Sequence, residues 1–186
     1  MQHEHAPEWL ENTTFDELQP GASARLTRKL TEADISAFAA ISGDLNPTHL
    51  DADYARGEGL KGKTAHGMWA GALVSTLLGT VFPGPGTLYV SQHLNFRRAA
   101  VAGDTLVVQA TVSSKDADSG QVRLACSVAQ LDGTVVSDGD AVVVAPKHKQ
   151  RVPRANGLRW QVFDVDAAVS ALVHRARQAA PLKCAV

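Results

Sequence analysis

Cysteine is scarce in this sequence, and the two that occur, Cys126 and Cys184, lie far apart in a chain of 186 residues. At most one disulfide could therefore form. Cys126 falls within an alternating apolar run, where a small buried thiol is common. We predict that both residues are free thiols in a reducing compartment.

An excess of charge of either sign is also missing, because 18 Lys and Arg balance 19 Asp and Glu to a formal net charge of −1. No global field argues for nucleic acid or a membrane surface as a partner. With 45% hydrophobic and 20% charged residues, the composition is that of an ordinary globular protein. The length suits one domain with a substantial core, or one domain carrying an appended segment.

Long apolar segments are absent as well. The first residues, MQHEHAPEWLENTT, have neither a basic start nor an apolar stretch, so they do not resemble a signal peptide. The longest weakly polar run, GMWAGALVSTLLGTVF, is shorter than the roughly 20 apolar residues that a bilayer span needs. We therefore predict a cytoplasmic protein without a membrane segment.

Two helices are predicted in the first half of the chain. In LTEADISAFAAISG, Thr31 and Asp34 are spaced as in a capping box, and Gly43 is well placed to end the helix. One face of this helix carries Ile35, Phe38, Ala39 and Ser42. The second helix, from Gly67 to about Thr80, is apolar nearly all round, which is typical of a helix enclosed by other structure.

From Thr87 onward the hydrophobic period changes to two, which indicates β-strands. The alternating positions are Leu88, Val90, Gln92, Leu94 and Phe96; Leu106, Val108, Ala110 and Val112; and Val122, Leu124, Cys126 and Val128. The run GTVVSDGDAVVVA completes the set. Short turns rich in Gly and Asp separate the runs and predict an antiparallel meander. A buried helix followed by antiparallel strands predicts an α+β domain whose sheet wraps the helix.

The character of the sequence changes after Pro146. PKHKQRVPRANG is basic and without periodicity, and we interpret it as a solvated linker rather than a patch for phosphate or nucleic acid. FDVDAAVSALVHRARQAA predicts a helix, with Asp early and Arg late. We therefore place one domain at residues 1–146, followed by a linker and a C-terminal helix at 147–186.

The stretch SGDLNPTHLD contains the natural acid and base candidates, Asp44 and His49. A carboxylate and an imidazole on adjacent backbone can hydrogen-bond one water and exchange protons near neutral pH. Pro47 restricts its own backbone and that of Asn46, so the segment should be stiff. From spacing alone the stretch fits a helix ending and an Asx-turn, with His49 on the surface, better than it fits a catalytic loop.

A second candidate is His66-Gly67, at the predicted start of the apolar helix. Unpaired N–H groups and the positive end of the helix dipole can receive an oxyanion there, and Gly67 has no side chain to obstruct the approach. A glycine required only for close packing explains the position as well. His66 itself fits a helix-start or core histidine better than a catalyst.

Three blocks, SGDLNPTHLD, AHGMWAGALVS and LYVSQHLNFRRAAVAGDTL, resemble the MaoC-like family of (R)-specific enoyl-CoA hydratases. The resemblance runs from about Leu26 to Ala145 with the spacing between the blocks intact. It implies the hot-dog fold, in which an antiparallel sheet wraps a long central helix. It also favours the catalytic interpretation of the first block.

By this resemblance, Asp44 and His49 activate the water that is added to C3 of a short-chain trans-2-enoyl-CoA. Asn46 helps to orient the site, Gly67 donates its N–H to the thioester carbonyl, and Ser75 lies in the pocket near the pair. The product would be an (R)-3-hydroxyacyl-CoA, formed by syn addition without a metal or redox cofactor. The sequence differs from the family pattern at Thr48, Trp69 and Gly71, and these positions affect the length of the acyl chain that the pocket accepts.

The resemblance also implies assembly, since members of this family complete their pocket across a dimer interface. We expect a homodimer or a dimer of dimers. Arg97 and Arg98 are candidates for contacts with CoA phosphates, or else form a solvated strand end. The tail, from VVVAPKHK to APLKCAV, resembles the junction in fusions with a phosphate acetyl- or butyryltransferase.

Three alternatives remain open at this point. A hot-dog acyl-CoA thioesterase would place an acidic residue on the central helix, but residues 67–82 contain no Asp or Glu. A non-catalytic acyl-CoA-binding domain would not need the acid and base candidates. A metal site from His3 and His5, or from Asp44, His49 and Asp51, lacks a recognisable ligand signature.

Overall fold

The computed structural model describes residues 8–155. Its strands are β1 (Trp9–Glu11), β2 (Ser23–Lys29), β3 (Leu88–Phe96), β4 (Thr105–Asp116), β5 (Gln121–Gln130), β6 (Val135–Val144) and β7 (Arg151–Pro153). Its helices are α1 (Glu32–Ser42), α2 (Pro47–Leu50), α3 (Ala52–Gly57) and α4 (Gly67–Thr80).

A five-stranded antiparallel sheet packs against α4 and forms the core. The strand order is β2-β4-β5-β6-β3. The alternating residues predicted for β4 and β5 are all buried, and α4 contributes Leu73, Val74, Leu77 and Leu78. Apolar side chains on one face of each strand thus meet the apolar side of the helix. The predicted fold class, an antiparallel sheet around a central helix, is confirmed.

The prediction of a simple meander is wrong at one end. β4, β5 and β6 follow one another as predicted, but β3 pairs with β6, and β2, which the sequence pattern did not reveal, pairs with β4. The connection from β3 to β4 does not turn back as a hairpin. It pairs instead with the segment before α4, where Ala65 N–H donates to Ala100 O and Ala102 N–H donates to Lys63 O.

Within residues 8–155, β3 and α4 each carry apolar side chains that are exposed. β3 lies at the edge of the sheet, and Leu88 and Val90 are 66% and 51% exposed. α4 is not enclosed all round, because Met68, Ala72 and Ser75 are exposed on its outer side. The near-continuous apolar pattern of α4 therefore covers one buried face and one exposed face.

Both ends of α1 form as predicted. Thr31 and Asp34 form the capping box, in which each side chain accepts the backbone N–H of the other residue. At the other end, Gly43 adopts a left-handed conformation with φ of 73° and its N–H bonds to Ala39 O. The chain leaves α1 sharply, and Asp44 is the next residue.

The two ends of the described chain are joined. β1 pairs with β7, and the buried Asn12 side chain bonds to the backbone of His148 and Gln150. Part of the predicted linker, up to Pro153, is therefore attached to the domain by strand pairing.

Some predictions fall outside the described residues: the C-terminal helix, His3, His5 and Cys184. Cys126 lies within them and is a buried free thiol. None of the helices within residues 8–155 is long and apolar enough to cross a bilayer.

Candidate active site

Asn46 and Pro47 build the short helix that carries His49. The Asn46 side chain accepts hydrogen bonds from the backbone N–H and the hydroxyl of Thr48, at 3.1 and 2.9 Å. Pro47 occupies the first turn, where a missing N–H is tolerated. Asn46 thus caps the turn on which His49 lies, and its predicted role in orienting the site stays a prediction.

His49 is held in one orientation by the segment before α4. Its Nδ1 lies 2.9 Å from the carbonyl oxygen of Thr64. A carbonyl can only accept, so Nδ1 carries a proton, and in the neutral ring Nε2 presents a lone pair. The side chain is only 12% exposed. The structure therefore excludes the interpretation of His49 as a free surface residue.

Nε2 of His49 faces the carboxylate of Asp44, with 3.9 Å between Nε2 and Oδ2. This is too long for a direct hydrogen bond and short enough for one water to donate to both atoms. The Asp44 side chain is 54% exposed, so the pair is accessible to solvent. The sequence-predicted acid and base thus come together with their acceptor atoms facing each other.

His66 completes a cluster with this pair. Its Nε2 lies 2.9 Å from the backbone carbonyl oxygen of Asp44, and its ring stacks on His49 with 3.7 Å between centroids and 25° between planes. His66 is 4% exposed. Ligand atoms of Asp44, His49 and His66 lie within 4.8 Å of one another, but stacked imidazoles do not direct their lone pairs at one point, as a shared metal would require.

Gly67 is the first residue of α4, and its N–H has no acceptor among the described residues. The His66 side chain does not cap the helix, so this amide stays available. A Cβ at Gly67 would meet Cε1 of Phe96 at 3.3 Å. This glycine therefore packs closely against Phe96 and also leaves an N–H donor at the positive end of a helix, so its role as an oxyanion donor stays a prediction.

His49 and Gly67 line one cavity of about 380 Å³, together with Trp69, Phe96 and Arg98. This volume lies within the range of small-ligand sites. Arg97 lines it too, but its Nε and Nη2 are bound to Asp138 at 2.9 and 3.1 Å, which raises the pKa of its guanidinium. Arg98 makes no ion pair with the other described residues.

A family model described as MaoC-like domain matches residues 16–131, more than half of the chain. The chain belongs to the MaoC-like family. A 3-hydroxybutyryl-CoA dehydratase of Methylorubrum extorquens is 38% identical over 141 residues, covering 76% of this chain and 89% of that protein. An (R)-specific enoyl-CoA hydratase of Rhodospirillum rubrum is 40% identical over 134 residues, covering 71% and 91%.

Two solved structures agree with this family assignment. The unliganded R-hydratase PhaJ1 of Pseudomonas aeruginosa superposes with a TM-score of 0.80 at 41% identity, covering 83% of this chain and 99% of that one. The R-hydratase of Aeromonas caviae superposes with a TM-score of 0.67 at 34% identity, covering 69% and 98%. The hot-dog architecture of this MaoC-like chain is thereby confirmed.

Ser75 was predicted to lie near Asp44 and His49, but in this chain it lies apart from the other predicted site residues. It is exposed on α4, eight residues or about 12 Å of helix beyond Gly67, and does not line the cavity of His49. Its predicted place near the pair stays a prediction. Asp51, considered above as a metal ligand, instead caps α3 by accepting from the N–H groups of Asp53 and Tyr54.

Sequence reasoning missed two residues of the site, Thr64 and His66. Thr64 acts through its backbone carbonyl, for which a side-chain pattern gives no signal. His66 was expected at a helix start or in the core, and it is both buried and at the N-cap of α4. Its adjacency to a candidate oxyanion donor was the available signal, but its stacking on His49 depends on the folded chain.

Proposed function

We propose that this protein is an (R)-specific enoyl-CoA hydratase that reversibly adds water to short-chain trans-2-enoyl-CoA. The observation that carries the proposal is the placing of the His49 Nε2 lone pair 3.9 Å from the Asp44 carboxylate, with His49 lining the same cavity as the Gly67 amide. The names of the relatives described above support the same reaction.

The pair is arranged to hold one water. Both facing atoms accept hydrogen bonds, so the water donates one proton to each and turns an oxygen lone pair toward the substrate. The new O–C3 bond forms as the Asp44 and His49 pair takes a proton from the water, and the pair returns a proton to C2. Because Nδ1 of His49 is bound to Thr64 O, proton exchange on that ring is confined to Nε2. We describe Asp44 and His49 as a coupled pair.

The start of α4 supplies the second requirement of the reaction. As water attacks C3, negative charge moves to the thioester oxygen, and a preorganised N–H stabilises that charge. The free amide of Gly67 at the positive end of α4 suits this role. The reaction written in this way uses no metal or redox cofactor, and the CoA thioester is the substrate.

The exposed apolar surfaces support assembly as a homodimer, or a dimer of two such dimers. Unpaired edge strands that carry apolar residues invite pairing with a second copy. A copy paired along β3 would extend the sheet at Leu88 and Val90 and offer the face of α4 that carries Met68 and Ser75 to its partner. Sedimentation at about twice or four times the chain mass of 19.7 kDa is expected, and a monomer at assay concentrations would contradict it.

A hot-dog thioesterase is the second candidate, and a non-catalytic acyl-CoA-binding domain is the third. The helix that would carry the acidic residue of a thioesterase, α4, has none. A thioesterase would release CoA-SH, whereas hydration releases none.

The cytoplasm, predicted as the compartment from the sequence, stays a prediction.

The test follows the absorbance of the conjugated thioester of crotonyl-CoA. The wild-type protein should remove this absorbance without release of free thiol, and Asp44→Asn and His49→Ala should abolish the loss while circular dichroism stays unchanged. Wild-type rates in both variants would refute the assignment. Release of CoA-SH would point to a thioesterase, and binding without turnover would point to a binding domain.

A further inference from the structure

His66 joins the start of α4 to the backbone of residues 43–49, the segment with Asp44 and His49 that we call the catalytic loop. Its Nε2 lies 2.9 Å from the carbonyl oxygen of Asp44, and because a carbonyl only accepts, Nε2 donates. The other hydrogen bonds of Asp44 within residues 8–155 are local: Ser42 Oγ accepts its N–H, and its carboxylate accepts the N–H of Asn46. The bond from His66 is thus the one that ties the Asp44 backbone to another element.

The same ring also supports His49. The rings of His66 and His49 stack with 3.7 Å between centroids, so His66 covers one face of the His49 imidazole. Phe38 packs on His66 at 5.0 Å and tilted by 44°. The hydrogen bond from Nδ1 to Thr64 O fixes the direction of the His49 ring, and the stacking on His66 fixes the tilt of the His49 ring.

Burial alone does not account for a histidine at this position. His66 is 4% exposed, and its Nδ1 has no hydrogen-bond partner among the described residues. A buried polar atom without a partner destabilises a fold, so an apolar ring would serve better if the position only filled space. What an apolar ring lacks is the Nε2–H donor to Asp44.

We propose that His66 is a positioning residue, which sets the distance between Asp44 and His49 by binding the backbone of one and stacking on the ring of the other. It does not contact the reacting atoms. The inference rests on the proposed hydratase function. The hydrogen bond from His66 holds Asp44 in place, and the face of the His66 ring holds His49 in place.

Two variants separate these contacts. His66→Phe keeps a flat ring against His49 and removes the donor to Asp44. His66→Gln keeps a donor at a similar reach and removes the ring. With crotonyl-CoA we expect His66→Phe to lower kcat by about 10- to 100-fold at nearly unchanged KM, since displacing a catalytic group by about 1 Å can have an effect of that size. His66→Gln should recover about tenfold of that loss through the restored hydrogen bond.

A readout that needs no activity accompanies the kinetics. Amide hydrogen exchange over residues 43–49 should accelerate in His66→Phe and return toward wild type in His66→Gln, with both variants folded by circular dichroism. The control is His148→Gln, because His148 is an exposed histidine ahead of β7 whose side chain makes no hydrogen bond or ion pair with the described residues. It should leave kcat, KM and exchange at wild-type values.

Wild-type kcat in His66→Phe would overturn the proposal. So would equal loss in both variants with unchanged exchange in the loop, because that result describes packing alone. A wild-type protein that does not hydrate crotonyl-CoA would instead count against the proposed function. The exchange experiment would still decide whether His66 holds the loop.

Discussion

The carbonyl oxygen of Thr64 lies 2.9 Å from Nδ1 of His49 and determines which nitrogen of that ring can reach a substrate. Thr64 is itself fixed, because its N–H donates to Thr48 O at 3.1 Å. The loop that carries His49 and the segment that leads into α4 therefore hold each other in register.

This relationship predicts that His49→Asn folds but does not turn over. The Asn amide can replace Nδ1–H as the donor to Thr64 O, but it places no acceptor where Nε2 faces Asp44. We expect kcat for crotonyl-CoA hydration to fall by about 100- to 10,000-fold, the range for losing an acid–base group. The melting temperature should stay within a few degrees of wild type. A slow variant that also unfolds would show a structural role instead.

The Gly67 amide can be tested with one added methyl group. In Gly67→Ala the new Cβ would press on the Phe96 ring at 3.3 Å and obstruct the approach to the N–H. We expect kcat to fall by up to about 100-fold, the loss typical of an oxyanion donor. Gly57→Ala is the matched control, because a Cβ there meets nothing within 4 Å. Equal activity of the two variants would remove Gly67 from the mechanism.

The two arginines of the cavity should differ. Arg97 is bound to Asp138, whereas Arg98 makes no ion pair with the described residues, so Arg98 is the one available to a CoA phosphate. Arg98→Gln should raise KM for crotonyl-CoA about twofold to fivefold, as expected for one exposed charge contact. With crotonyl-pantetheine, which has no nucleotide, the difference should vanish. A KM increase that persists there would contradict phosphate binding.

Asp34 predicts a pH dependence of stability. Burial works to raise the pKa of its carboxyl, but hydrogen bonds from the side chain and backbone of Thr31 and from Arg28 outweigh burial and lower the pKa. A lowered folded-state pKa gives a stabilisation that is complete above the unfolded pKa, about 4, and is lost as pH falls through the folded value. Asp34→Asn should therefore lower the free energy of unfolding by about 1 kcal/mol at pH 7 and by less at pH 3.

Urea unfolding at the two pH values measures this difference. Asp16→Asn provides the control, since Asp16 is an exposed carboxylate whose side chain makes no hydrogen bond within the described chain. Its effect should be small at both pH values. An Asp34→Asn difference that grows toward low pH would contradict the direction of the shift.

Features that depend on neighbouring residues could be predicted from the sequence. The capping box of Thr31 and Asp34, the stop at Gly43 and the alternation of β4 and β5 follow from local chemistry, and each is found in the structure. The extent of α4, Gly67–Thr80, was predicted for the same reason. The Asp44 and His49 pair needed the resemblance as well, because its spacing alone also fits a helix ending.

Features that depend on distant pairing could not be predicted. β3 alternates like β4 and β5, yet Leu88 and Val90 are exposed because the strand lies at the sheet edge, and nothing in its pattern encodes that position. The pairing of the β3 to β4 connection with residues 63–65 is also non-local. The contacts of Thr64 and His66 with the loop arise from that pairing.

The pairing of β1 with β7 makes Trp9 and Pro153 cross-strand neighbours, so residues 8–155 nearly close into a ring. A short Gly/Ser bridge could join these ends, and the chain could be reopened between β4 and β5, in the turn at residues 117–120. None of the turn residues lines the cavity of His49 and Gly67. A circular permutant of this kind should keep the catalytic loop and α4 in one uninterrupted segment.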